Sequence, residues 1–231
     1  MKTLMLILAS LVVIGCAKEF QTEVQTGVHV CGHVRPVTAI MLDCDSGDLK
    51  GLEAFKALKY LDLSNPKLTD ADLKHLAGLK ALQTLNLQHT NVTDAGLQHL
   101  GGLKALKNLD LIFTKVTGAG FKHLAGLKAL KVLNLMYTKV TDAGLKHLAG
   151  LKALRTLNLY KTKVTDAGLK HLAGLKALRW LSLNNTKVTD AGLKHLADLK
   201  RLHMLNLFDT KVTDAGRKQL KKALPNCTIR R

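Results

Sequence analysis

Four residues near the start of the chain carry zinc-type donor atoms: His29, Cys31 and His33 in an alternating run, and Cys44 further on. Their spacing matches no well-known structural zinc site, and along a strand alternate residues share a face whatever their role. Asp43, Asp45 and Asp48 offer hard oxygen ligands for calcium, but the loop lacks the remaining ligands of a calcium pattern. A larger constellation is the histidine column His75, His99, His123, His147, His171 and His195. Such a column binds metal or reports pH when its imidazoles charge as pH falls through about 6.5, yet one surface histidine multiplied by duplication gives the same column. No G-x-S-x-G, H-E-x-x-H or GxxxxGK[ST] occurs, and Gly118-x-Gly120 is a repeat fragment, not a dinucleotide loop. These residues point to no catalysis and no cofactor, and to no established metal pattern.

What positions them is a 24-residue period. Thr69, Thr93, Thr117, Thr141, Thr165, Thr189 and Thr213 recur on it without a slip, which gives seven units from 55–78 to 199–222. Fixed-period self-similarity of this length predicts a solenoid, in which each unit buries its apolar side against its neighbours. In the unit 79–102, alternation over Thr84 to Gln88 predicts a short strand with Leu85 and Leu87 inward. Thr93 is placed to N-cap a helical turn, and Asp94 lies where the positive end of the helix dipole favours an anion. Leu97 and Leu100 face back to the core, and Gly102 suits a left-handed C-cap.

Leu82, Leu85, Leu87 and Val92 spell L-x-x-L-x-L-x-x-T-x-V, which resembles the leucine-rich repeat with Thr90 in the usual Asn or Cys position. The resemblance covers roughly 37–231 and implies an α/β horseshoe solenoid: a parallel sheet on the concave face and short helices on the convex face. The T-D-A-G-L-x-x-L-A half is similar to the ribonuclease-inhibitor-like and cysteine-containing subclasses, including those of F-box proteins. No F-box-like segment precedes the repeats, so a ubiquitin-ligase role does not carry over. The ends depart from the pattern. Pro66 replaces the ladder Thr, Asp72 replaces a Gly, and Arg217 takes a buried Leu position. Residues 28–54 read as an N-terminal cap, because Ile40 and Leu42 anticipate Leu61 and Leu63. Residues 223–231 read as a C-terminal cap whose Leu224–Ile229 stretch adds a closing strand.

Residues 1–15 stand apart from the fold. Lys2 precedes the apolar run Leu4 to Ile14, the length of a signal h-region and too short to span a bilayer. Val13-Ile14-Gly15-Cys16 resembles the lipobox of bacterial lipoproteins, which implies cleavage before Cys16 and its acylation. The alternative is ordinary cleavage after Ala17. Residues 16–27 then form a lipidated tether, and Ala17 in place of the inner-membrane retention Asp favours the outer membrane of the cell envelope. Export implies an oxidising compartment, so Cys31 and Cys44 read as a disulfide, with metal ligation and free thiols as the other readings.

The units differ where the strand faces outward. One column runs Tyr60, Thr84, Asn108, Val132, Thr156, Trp180, Met204; another Ser64, Gln88, Ile112, Met136, Tyr160, Asn184, Phe208; a third Asn65, His89, Phe113, Tyr137, Lys161, Asn185, Asp209. They hold six of the nine aromatics, including the single Trp, which neutral drift does not explain. Tyr60, Ile112, Phe113, Met136, Tyr137, Tyr160, Trp180, Met204 and Phe208 are therefore the predicted partner-binding residues. The uniform column of Asp62, Asn86, Asp110, Asn134, Asn158, Ser182 and Asn206 reads as a ladder between strands. The opposite side is basic, with lysine columns Lys56 to Lys200 and Lys74 to Lys218 and a formal charge of +18, or +17 without Lys2. The expected function is a non-catalytic, lipid-anchored envelope protein that holds a protein or peptide on its concave face. The alternative is an anionic glycan or lipopolysaccharide bound on the basic convex face. Nucleic acid is excluded as a partner by export, and the membrane is met through the lipid.

Overall fold

The computed structural model describes residues 49 and 51–231 and, ahead of them, the backbone of four strands: β1 (Leu11–Ile14), β2 (Val28–Val30), β3 (His33–Arg35) and β4 (Ala39–Leu42). Cys16, the Cys31–Cys44 pair and the Asp43, Asp45, Asp48 loop lie outside the described residues. The alternating run around His29 is not one strand, because β2 and β3 pair antiparallel, with His29 opposite Val34 and Val30 opposite His33.

One strand per repeat follows: β5 (Tyr60–Asp62), β6 (Thr84–Asn86), β7 (Asn108–Asp110), β8 (Val132–Asn134), β9 (Thr156–Asn158), β10 (Trp180–Ser182) and β11 (Met204–Asn206), then β12 (Thr228–Arg230). They form one parallel sheet in the order β1-β4-β5-β6-β7-β8-β9-β10-β11-β12. The register advances by one period, so Leu61, Leu85 and Leu109 stand side by side and Ile40 stands opposite Leu61. In the uncleaved chain, the apolar segment set aside as a leader thus takes the edge beside β4. Behind the sheet the core is almost wholly leucine, with Leu85, Leu87, Val92, Leu97 and Leu100 fully buried and the same positions buried in the other units except at Arg217. The buried Thr column is structural: the Thr90 hydroxyl donates to the Leu87 carbonyl at 2.7 Å, and Thr114, Thr138, Thr162 and Thr186 repeat that bond.

The convex side is thinner than a helical layer. Early units carry single 3-10 turns such as Asp72–Leu76, Gly96–Leu100 and Ala119–His123. Later units have one α turn each: α1 (Asp142–Leu145), α2 (Asp166–Leu169) and α3 (Asp190–Leu193). Among the described residues only α4 (Asp214–Ala223), past the last repeat strand, is a longer helix. Strands repeat every ~4.8 Å whereas α-helices pack about 8–10 Å apart, so slim turns reduce the mismatch between the two sides.

Two sequence expectations change here. Thr93, Thr165, Thr189 and Thr213 do cap the following turn, as with the Thr165 hydroxyl and the Ala167 N–H at 3.3 Å. The adjacent Asp serves the next repeat instead of its own helix. Asp142 accepts the Thr165 N–H at 2.8 Å and its hydroxyl at 2.7 Å, and Asp70, Asp94, Asp166 and Asp190 clamp their neighbours alike. At Gly96, Gly168, Gly192 and Gly216 the glycine is bare because the previous repeat's Asp fills the space its Cβ would need. Nor is Gly102 a left-handed cap. Among the described glycines only Gly51 and Gly118 have positive φ. A Cβ on Gly102 would lie 2.7 Å from Lys80 Nζ, and Gly126 and Gly174 make the same room for Lys104 and Lys152. That lysine column bonds to turn carbonyls: Lys104 to Gly101 at 2.6 Å, Lys128 to Ala125 and Gly150, Lys200 to Ala197 and Ala223. Its ammonium groups are partly consumed in joining repeats.

Candidate interaction surface

Each unit sends two side chains outward from its three-residue strand and two more from the turn beyond the buried Leu that follows it. In the first two outward columns Tyr60, Ile112, Met136, Tyr160, Trp180 and Met204 are half-buried, while Phe208 remains 59% exposed. Trp180 and Met204 stand side by side across the β10–β11 ladder, with Thr156 on the other flank of Trp180. All nine predicted partner-binding residues lie on this one face or its rim.

The rim column is built differently from what alternation predicts. His89, Phe113, Tyr137, Lys161, Asn185 and Asp209 all have left-handed backbone, with φ between 52° and 58°. For residues other than Gly this conformation costs roughly 1–2 kcal/mol each, so neighbouring bonds must hold it. They do so from two sides. The Asn/Asp column supplies one hold, because Asn86 Oδ1 accepts the Gln88 N–H at 3.0 Å and Asp110 Oδ1 accepts that of Ile112 at 3.0 Å. Asn134 and Asn158 make the same turn with Met136 and Tyr160. The second hold is the next repeat, whose carbonyls accept the N–H of the left-handed residue: Phe113 to Met136 at 3.1 Å, Tyr137 to Tyr160 at 3.0 Å. The Asn/Asp column is therefore mainly a turn-former. It makes side-chain rungs only between Asn86 and Asp62 (3.0 Å) and between Asn134 and Asp110 (3.3 Å) among the described residues.

This backbone lays consecutive rings against one another. His89 stacks on Phe113 with centroids 4.7 Å apart, Phe113 on Tyr137 at 4.2 Å, and Tyr137 meets Tyr160 edge-on at 5.1 Å. The two tyrosine hydroxyls are 3.4 Å apart, and that bond raises the Tyr160 pKa above its ordinary value. Lys161 Nζ sits 4.9 Å from the Tyr137 ring centroid, a cation–π contact. Phe113 keeps 43% exposure, and the row of ring edges forms a ridge along the face. His89 and Lys161 join this ridge although their types did not mark them as anchors; the left-handed tolerance of Asn185 and Asp209 in the same column was the available signal. Two further basic strips frame the face: Lys107, Lys131, Arg155 and Arg179 just before the strands, and Lys115, Lys139, Lys163, Lys187 and Lys211 beyond the rim.

Elsewhere the chemistry is sparse. The histidine column is half-buried, and His147 is held below its ordinary pKa by burial and then by Lys146 and Lys122. Among the described residues no cluster of three or more His, Cys, Asp or Glu is placed to hold a metal ion. Cys227 is buried and free, its thiol pushed up by burial. No helix among the described residues is long and apolar enough to cross a membrane.

This architecture has counterparts. Internalin C2 from Listeria monocytogenes superposes with a TM-score of 0.63 at 30% identity, over 77% of this chain and 71% of that one. A second internalin of that organism, inlF, superposes with a TM-score of 0.64 at 20% identity and shares the fold. There the match covers 84% of this chain and 60% of that one. No curated protein matches the chain. The family model described as a leucine-rich repeat region matches residues 33–230, and the chain belongs to that family.

Proposed function

We propose that this protein is a non-catalytic interaction module that receives a protein or peptide on its concave face. The observation that carries the reading is the aromatic ridge of Phe113, Tyr137 and Tyr160, two of whose members are held in strained backbone. Large rings kept half in solvent are costly on a monomer and are enriched at interface cores. Drift would favour Gly or Asn at a left-handed position. Trp180, Met204, Tyr60, Ile112, Met136 and Phe208 extend the contact area along the same face.

The leader and Cys16 place the module on the cell envelope through acylation, the outer membrane being favoured, and Cys31 and Cys44 pair as a disulfide in that compartment. Metabolic labelling with a palmitate analogue tests the first, with Cys16→Ser as the unlabelled control. The mass of the unreduced protein tests the second. The alternative, an anionic glycan or lipopolysaccharide on the convex face, now rests on the exposed column Lys74, Lys122, Lys146, Lys170, Lys194 and Lys218, since the other lysine column is engaged with carbonyls.

Affinity capture from detergent-solubilised envelope, wild type against Trp180→Ala/Tyr160→Ala at low and high salt, decides between them. A partner kept in high salt and lost from the variant supports the concave face. Capture indifferent to the aromatics and abolished by salt moves the function to the basic side.

A further inference from the structure

The last helix gains a cation at three positions where earlier units have none. Arg217 stands in the column of Leu73, Leu97, Phe121, Leu145, Leu169 and Leu193, all buried. Lys221 stands where the earlier units have Ala or Gly, and Lys222 where they have Gly or, once, Asp198. With Lys218 these residues, Pro225, Thr228 and Ile229 line a cavity of about 680 Å³, whose lining contains no carboxylate. That volume is within the ordinary range for small-molecule sites.

Arg217 is also the wall of a second cavity of about 420 Å³, which Phe208, Ile229, Arg230 and Arg231 help to line. Its Nε is buried with no hydrogen-bond partner, an unpaired donor on a residue that lines both cavities. Asp214 Oδ1 accepts from Arg217 Nη2 at 3.4 Å and pairs with Arg231 Nη1 at 3.0 Å, so one edge of the Arg217 guanidinium is engaged while its Nε stays unpartnered. Lys221 Nζ is fixed by the Cys227 carbonyl at 2.7 Å and retains two further N–H donors. Pro225, Ile229 and the lysine stems supply an apolar floor beneath the cationic rim.

We propose that this end of the solenoid binds a phosphate-headed amphiphile. The dianionic head lies among Arg217, Lys218, Lys221 and Lys222, and a short apolar tail lies on Pro225 and Ile229. A phosphate suits the set because its charge balances several cations at once and its oxygens match both the planar guanidinium and the compact ammonium groups. The site is independent of the concave ridge.

The test is calorimetric titration of the full chain with monomeric dihexanoyl phosphatidic acid, with dihexanoyl phosphatidylcholine, inorganic phosphate and dioleoyl phosphatidic acid vesicles as separate arms. Arg217→Leu/Lys221→Ala installs the residues the chain already uses in its other repeats, so the fold is kept. The expected result is saturable binding of the monomeric phosphatidic acid, weakened about tenfold or more in the double variant, with no binding of the phosphatidylcholine and weaker binding of phosphate alone. The proposal is overturned by equal affinity in the variant, by equal binding of phosphatidylcholine, by phosphate alone binding as tightly, or by binding to vesicles only.

Discussion

The Asp94 carboxylate and Thr117, in successive repeats, share two hydrogen bonds: the Thr117 N–H at 3.0 Å and its hydroxyl at 2.6 Å, both to Asp94 Oδ2. The other oxygen accepts from the N–H groups of Gly118 and Gly120 at 3.1 and 2.8 Å. One side chain thus satisfies four donors of the next turn, which helical turns this short leave without intrahelical partners.

Removing that carboxylate loosens the seam. Asp94→Ala is expected to cost about 1–2 kcal/mol, less than four buried bonds would suggest because the site is partly wet. For a chain of this size that is a fall in Tm of roughly 3–6 °C, read by differential scanning calorimetry.

Acid should undo the clamp. Burial alone would raise the Asp94 pKa, but the hydrogen bonds from Thr117, Gly120 and Gly118 together hold it below its ordinary 3.8. Asp190 is lowered in the same direction, by the Thr213 hydroxyl and N–H first. The unfolded chain then takes up protons before the folded one, so this stabilisation is complete above about pH 4 and is lost as pH falls through the depressed values. Asp110, pushed up by burial, and His147, pushed down by it, act on other parts of the curve. The difference in Tm between wild type and Asp94→Asn isolates the clamp, and it should shrink below pH 4.

One seam lacks the clamp. Gly118 occupies the Asp position with φ 102°, the ring of Phe121 lies beside it, and the Thr141 N–H bonds to the Thr117 carbonyl instead. Gly118→Asp alone should destabilise, since an added Cβ would sit 2.7 Å from Gly144 Cα in a backbone that disfavours side chains. Gly118→Asp with Phe121→Leu restores the repeat sequence and should raise the midpoint of urea unfolding by the equivalent of about 1 kcal/mol. A double variant no more stable than the single one would refute this coupling.

Stability and binding should separate at the ridge. Phe113→Asn and Tyr137→Asn relieve left-handed strain of about 1 kcal/mol each and lose a ring contact of similar size. Their Tm should stay within about 3 °C of wild type while capture of the partner is lost. Retained capture would remove the ridge from the binding surface.

The architecture was legible because every buried leucine recurs at a fixed place, and burial is what a repeat must conserve to stack. Leu85, Leu87, Val92, Leu97 and Leu100 needed no tertiary information. Residues joining one repeat to the next were misread, because Asp94 and Gly102 obey local capping rules as well as they serve Thr117 and Lys80. Sequence reveals a side chain's type, but only the 24-residue displacement in space shows which neighbour it reaches. The nine residues predicted to bind a partner share one face or its rim. Their left-handed rim was missed because Phe and Tyr are poor advertisements for positive φ, and what imposes it is the hydrogen bonding of Asn86, Asp110 and the following strand.

Six side chains of unlike character, from His89 through Phe113, Tyr137, Lys161 and Asn185 to Asp209, occupy backbone that differs by only a few degrees in φ. The socket therefore keeps one geometry whatever its occupant. A charged, aromatic or amide letter can be written at each step without disturbing its neighbours' frame, which makes the rim an editable text ruled at one character per strand.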